Sequence, residues 1–137
     1  NVSVSQAHEL IFGYAVGLDM TRRDLQNEMK KSGRPWEIGK AFDYSAPIGE
    51  IYPVASVAEI QQANISLAVN GEPKQQGNIN QLIWNVAETI ANLSEFFELK
   101  AGDLIFTGTP AGVGAVVKGD TILAQIDGLG NIELLVV

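Results

Sequence analysis

Apolar and polar positions divide the chain into short segments of unlike period. Residues 10–18, LIFGYAVGL, are continuously apolar with aromatic and β-branched members, which predicts a strand buried on both faces. The pattern then turns polar. RRDLQNEMKKSGRP predicts a helix, with Thr21 as N-cap and Asp24 in a capping-box-like position. Gly33 stands where a C-cap glycine would, and Pro35 follows it. Residues 36–54 hold two glycines and two prolines without periodicity, so they read as loops with short strands.

Beyond them, Ile65, Leu67 and Val69 alternate up to Asn70-Gly71, the favoured type I′ turn, and predict a hairpin. Leu82, Val86, Ile90, Leu93 and Phe97 recur at helical spacing and predict a helix over 80–98, capped by Asn78 or Asn80. LKAGD ends it, and LIFTGTP predicts another buried strand. TILAQI, DGLGN and IELLVV read as strand, turn and strand. The sum is a single α+β domain, richer in strand than helix.

Composition narrows the function classes. A chain of 137 residues supports one core. Its apolar fraction of 46% and charged fraction of 18% are those of a globular protein. The net charge of −7 argues against nucleic acid as a partner. The absence of cysteine excludes disulfides, thiolate catalysis and Cys-ligated zinc, and suits a cytoplasmic setting. No apolar run reaches the roughly 18 residues of a membrane span, and no signal-peptide pattern is present. The chain opens on Asn1 and enters an apolar segment almost at once, a pattern expected either of a processed protein or of a fragment of a longer one.

Three stretches carry candidate chemistry. The first is YAVGLDMTRRDLQ, where an apolar run ends in Asp19, followed by Arg23 and Gln26. Asp19 reads either as a turn residue or as a carboxylate delivered to a pocket. With a helical turn beginning near Asp19, positions 19, 23 and 26 share a face; with Thr21 as the cap, the alignment is approximate. One carboxylate suits a hard cation such as Mg²⁺ but does not make a metal site. The second is GKAFD, where Lys40 is a solvated loop lysine or an ammonium facing an anionic oxygen, the solvated reading being the better supported. The third is TGTPAGVG, whose glycines predict a tight turn and whose Thr109 offers a hydroxyl. It lacks the Gly-Lys-Ser/Thr of a P-loop. His8-Glu9 has nothing that orders it into a catalytic set.

Taken together and in order, GYAVGLDMTRRDLQ, GRPWEIGKAFDYSAPIG, LAVNGEPKQQG and LKAGDLIFTGTPAGVG resemble the fumarylacetoacetate hydrolase family, in its acylpyruvate hydrolase branch. The resemblance runs from about Ile11 to Val137. It implies a mixed β-roll with packed helices, and Mg²⁺- or Mn²⁺-dependent cleavage of a carbon–carbon bond in a β-diketo acid. By this resemblance Asp19 is a metal ligand, and Arg23 and Gln26 line the site as catalytic residues. Lys40 contacts the substrate's oxygens and stabilises developing negative charge. Thr109 helps hold the substrate carboxylate, in a loop shaped by Gly108. The expected partners are a small 2-oxo acid and a second copy of the chain in a homodimer.

The family's Glu-x-Glu ligand pair and His-Glu water-activating pair lie upstream of the matched region. Residues 1–137 are therefore expected to be the C-terminal part of a single catalytic domain. Oxaloacetate decarboxylation and 2-oxo acid isomerisation use the same enolate chemistry and stand as alternatives. A truncated, non-catalytic homologue is the alternative of a different class.

Overall fold

The computed structural model describes all 137 residues. Its centre is a four-stranded antiparallel sheet of β3 (Asn64–Val69), β4 (Glu72–Asn78), β5 (Thr121–Ile126) and β6 (Asn131–Leu135), in the order β4-β3-β5-β6. The β3–β4 turn is the predicted one. Asn70 and Gly71 have φ of 52° and 80°, the left-handed pair that a type I′ turn requires. The Asn70 side chain also reaches β5, accepting from Thr121 N at 2.9 Å and donating to Asp120 Oδ1 at 2.8 Å.

One face of this sheet is the main core. Leu67 pairs with Ala124 and Val69 with Ile122. Ile122 and Ala124 are buried with Val16, Leu18 and Leu129. A second, smaller core joins Ala7 of α1 (Val4–Ala7) to Ala87 and Ile90 of α3 (Val86–Phe96). The architecture is thus α+β and strand-rich, as expected, and every strand pairing is antiparallel. No helix is long and apolar enough to cross a membrane.

Several local expectations are corrected. Residues 10–18 do not form one strand: only β1 (Gly13–Tyr14) pairs, with β2 (Tyr52–Pro53), and Gly17 makes an isolated bridge to Ile48. Nor are both faces buried, because Phe12 and Gly17 are exposed while Val16 and Leu18 pack inward. The segment is held by scattered backbone bonds, such as Leu18 N to Pro47 O at 2.9 Å, rather than by a continuous ladder. Residues 104–110 form no strand, and Leu104 and Phe106 are exposed.

The helix expected over 80–98 begins six residues late, at Val86. Asn85 caps it in a reciprocal box with Glu88. Asn78 instead caps the 3-10 turn Ile79–Gln81, and Asn80 caps neither. Leu82 keeps helical spacing by coincidence. Helix α2 (Arg23–Lys31) starts after Arg22, and Thr21 is not its cap. Its end matches the expectation: Gly33 is left-handed at φ 61°, Arg34 N bonds Met29 O and Gly33 N bonds Lys30 O, a Schellman closure.

Candidate active site

Asp19 reaches the surface because its neighbours alternate. Val16 and Leu18 point into the core, and Leu18 N and Met20 N are pinned to Pro47 O and Ser45 O at 2.9 and 2.8 Å. The Asp19 carboxylate therefore stands clear of the core. Lys40 Nζ donates to Asp19 Oδ2 at 2.7 Å and to Thr21 Oγ1 at 3.0 Å. Both ion-pair partners are partly exposed, so the pair adds only about 0–1 kcal/mol of stability. Its consequence is position.

The Lys40 loop is held against α2 by a close backbone approach. Arg22 N donates to Gly39 O at 2.9 Å. A Cβ on Gly39 would lie 3.0 Å from Gln26 N and Cβ, tighter than ordinary contact. Glycine therefore lets the 3-10 turn Glu37–Gly39 sit on the first turn of the helix and aim Lys40 at Asp19. Phe42 of the same loop carries the Arg22 guanidinium 4.4 Å above its ring.

Arg23 and Gln26 are three apart on α2, and Arg23 Nη1 donates to Gln26 Oε1 at 2.7 Å. Gln26 is 4% exposed. Arg23 lines a large cleft, whereas Gln26 is buried outside its lining and holds the Arg23 guanidinium. Asp19 precedes the helix, as the second alternative has it, so 19, 23 and 26 do not share a helical face; the cap is Arg22 and not Thr21. Asp19 and Arg23 line one cleft from either side of the turn between them, and Gln26 is bonded to Arg23.

Gly108 and Thr109 approach from the far side of the sequence. Gly108 has φ 122°, a conformation open to glycine and strained for other residues. Thr109 Oγ1 receives a 2.7 Å hydrogen bond from Gln75 Nε2 of β4. Gln75 was missed by sequence reasoning. Its signal is weak: a polar residue, four positions past the Asn70-Gly71 turn, that turns inward. Thr21 does not cap α2 but accepts from Lys40 Nζ, a role with no signal in the sequence.

These groups share a cleft of about 960 Å³. Its apolar lining includes Leu67 and Ile122 of the sheet and Val16 packed beside them; its polar lining includes Asp19, Lys40, Arg23 and Thr109, with Gly108. Four cations line it (Arg22, Arg23, Lys40 and Lys74) against two carboxylates (Asp19 and Asp24). That local excess of positive charge stands in a chain of net −7. The cleft is thus built for an anion with an apolar middle.

The Asp19 oxygens suit a hard divalent cation, and Asp24 is the one other carboxylate in the cleft, so the lining falls short of a full ligand set. No group of three His, Asp or Glu side chains converges anywhere in the chain. His8 and Glu9 lie in a 3-10 turn and do not line the cleft.

The family model for the fumarylacetoacetate hydrolase C-terminal region matches residues 1–137. A fumarylpyruvate hydrolase from Ralstonia is 53% identical over 98% of this chain and 70% of its own length. An oxaloacetate tautomerase from Escherichia coli is 48% identical over 86% of this chain and 54% of its own. Among solved structures, a fumarylpyruvate hydrolase from Pseudomonas aeruginosa, in complex with Mn²⁺ and pyruvate, superposes with a TM-score of 0.97 at 60% identity. It covers 99% of this chain, which spans 58% of that one.

Proposed function

The chain belongs to the fumarylacetoacetate hydrolase family, and from that premise we propose that it is the C-terminal part of a catalytic domain that hydrolyses acylpyruvates. The observation that carries this reading is the cationic cleft that Asp19, Lys40, Arg23 and Thr109 line, with Lys40 on Asp19. The reaction adds water at the distal carbonyl and breaks the adjacent carbon–carbon bond, releasing an acid and pyruvate as its enolate.

Asp19 is the ligand this chain offers to Mg²⁺ or Mn²⁺, two hard cations that a carboxylate holds alike. When bound, such a cation acts as a Lewis acid on the oxygens of the 2-oxo acid. The remaining chemistry falls to the side chains. Lys40 has three protons, and Asp19 and Thr21 take two of them. The third is free for the oxygen on which negative charge develops. Arg23, steadied by buried Gln26, holds a fixed guanidinium at the rim. Thr109, on the Gly108 turn, binds the substrate carboxylate. The further carboxylates and the water-activating pair belong to residues upstream of the matched segments.

The enzyme is read as a cytoplasmic homodimer. Phe96 and Phe97 are 71% and 64% exposed, and Ile83 is 96% exposed, an apolar surface of the kind that a second copy covers. A second reading, oxaloacetate tautomerisation, is favoured by the relative from Escherichia coli. It needs the same stabilised enolate, reached by moving a proton between carbon and oxygen, without carbon–carbon cleavage.

The deciding experiment is pyruvate release from acetylpyruvate by the full-length protein, with and without added Mg²⁺. Metal-dependent release is the expected result. Silence toward acetylpyruvate with rapid enol–keto exchange of oxaloacetate would move the tautomerase reading ahead.

A further inference from the structure

We infer that Gln75 is a positioning residue that fixes the Thr109 hydroxyl as a hydrogen-bond donor to the substrate's carboxylate. The inference rests on the reading of the cleft as a 2-oxo acid site and names how one of its polar groups is set.

Gln75 is the one buried residue of β4, at 9% exposure, and it lines the cleft. A bulge turns it there. Leu67 pairs with Gln75 and Ala68 with Pro73, so Lys74 is the extra residue on this strand. Bulges re-aim side chains in this way. The loop opposite is locked onto the bulge. Gly112 has φ 103°, and a Cβ there would strike the Lys74 carbonyl oxygen. A Cβ on Gly77 would lie 3.1 Å from Pro110 Cβ.

The direction of each hydrogen bond follows from donor chemistry. Gln75 approaches Pro110 O and Thr109 Oγ1 with the same atom, at 2.7 Å each. A carbonyl oxygen only accepts, so the amide nitrogen and not its oxygen faces Pro110. That nitrogen carries two protons and offers no acceptor, so Thr109 Oγ1 must accept the second. The hydroxyl proton of Thr109 is then free for another acceptor. Gln75 also occupies the Pro110 carbonyl, the neighbouring acceptor that would otherwise compete for that proton. Thr109 lines the cleft and makes no other side-chain hydrogen bond within the chain. A carboxylate accepts and never donates. Gln75 therefore prepares the polarity that an anionic substrate needs, before the substrate arrives.

The test is a double-mutant cycle on the full-length protein loaded with Mn²⁺, with pyruvate affinity read by titration calorimetry. Gln75→Glu puts an acceptor where the donor stood and consumes the Thr109 proton. Pyruvate binding should weaken about 10- to 100-fold, the worth of a hydrogen bond to a charged group. Thr109→Val should weaken it similarly and Thr109→Ser should retain it. Gln75→Leu, which keeps the bulk, adds no charge to the cleft and frees the hydroxyl to rotate, should fall between wild type and Gln75→Glu. It carries the cycle: the Gln75→Leu/Thr109→Val pair should be no weaker than Thr109→Val alone.

Additive losses, or wild-type affinity in both Gln75 variants, would overturn the inference, as would a wild-type protein that does not bind pyruvate. A wild type that binds pyruvate but cleaves no acylpyruvate would overturn the hydrolase reading alone.

Discussion

The ammonium of Lys40 lies 2.7 Å from the carboxylate of Asp19, although the two residues stand 21 positions apart. The pair is partly exposed and adds little stability. It does place a cationic donor against the carboxylate that we propose as a metal ligand. The two residues have different tasks and should fail differently. Asp19→Asn should lower Mn²⁺ affinity by about 10-fold or more, read by calorimetry on the full-length protein. Lys40→Met should leave Mn²⁺ affinity near wild type and lower kcat by about 100-fold, as loss of a donor to developing charge does. Equal effects of both variants on metal binding would contradict this division.

Gln26 should act through Arg23. Gln26→Leu removes the acceptor of the 2.7 Å bond and leaves the guanidinium unsteadied. Stability should fall by about 1–3 kcal/mol, because a buried polar contact is broken. A drop in kcat/KM should accompany it, and Arg23→Lys should reproduce the drop without the same loss of stability. Urea denaturation and steady-state kinetics measure the two effects separately.

Arg22 is the cleft cation without an ion pair or a side-chain hydrogen bond within the chain; its contact is the Phe42 ring at 4.4 Å. It is placed to favour substrates with a second carboxylate. Arg22→Gln should lower kcat/KM about 10-fold for fumarylpyruvate and leave acetylpyruvate nearly unchanged. Added salt should narrow the difference in the wild type, since the group is exposed. Equal losses on both substrates would remove Arg22 from specificity.

Gly112→Ala should be among the most damaging small substitutions. The added Cβ meets the Lys74 carbonyl, and the positive φ is strained for alanine. A loss of about 1–3 kcal/mol is expected from overpacking and strain together. Gly119→Ala has an open surrounding and a similar φ of 96°, so it isolates the backbone part. Thermal melts of the two variants should differ by the cost of the clash.

Acid should expose the turn before β5. The Asp120 carboxyl sits below its usual 3.8, because Val117 N–H donates to it first and the Asn70 amide second. A carboxyl with a depressed folded pKa contributes stability above its unfolded value and loses it as pH falls through the folded one. The stability gap between wild type and Asp120→Asn should therefore shrink as pH is lowered from about 5 toward 2. A gap that stays constant over that window would contradict the linkage.

Where neighbours along the chain supply the structure, the sequence was readable. Asn70-Gly71 closes a turn between adjacent strands, and Gly33 ends α2 with bonds to Met29 and Lys30. The motif residues Asp19, Arg23, Lys40, Gly108 and Thr109 were also legible, through the family resemblance rather than through period, and the fold brings them to one cleft. Sequence by itself thus determined the strand-rich α+β class, the family and the residue types that carry the charge.

Tertiary structure decided the rest. The apolar runs 10–18 and 104–110 look like strands, but apolar composition does not say which backbone groups pair, and Phe12, Leu104 and Phe106 are exposed in the fold. In the fold, Leu18 N finds Pro47 O and no regular ladder follows. The N-terminus of α3 went to Asn85 because a reciprocal bond with Glu88 outweighs a continuing apolar period. Gln75 was invisible for the same reason in stronger form. Its role depends on a bulge at Lys74 and on a loop that arrives 34 residues later at Thr109. Contacts of that separation are selected by close packing between distant segments, and no local pattern of residues encodes them.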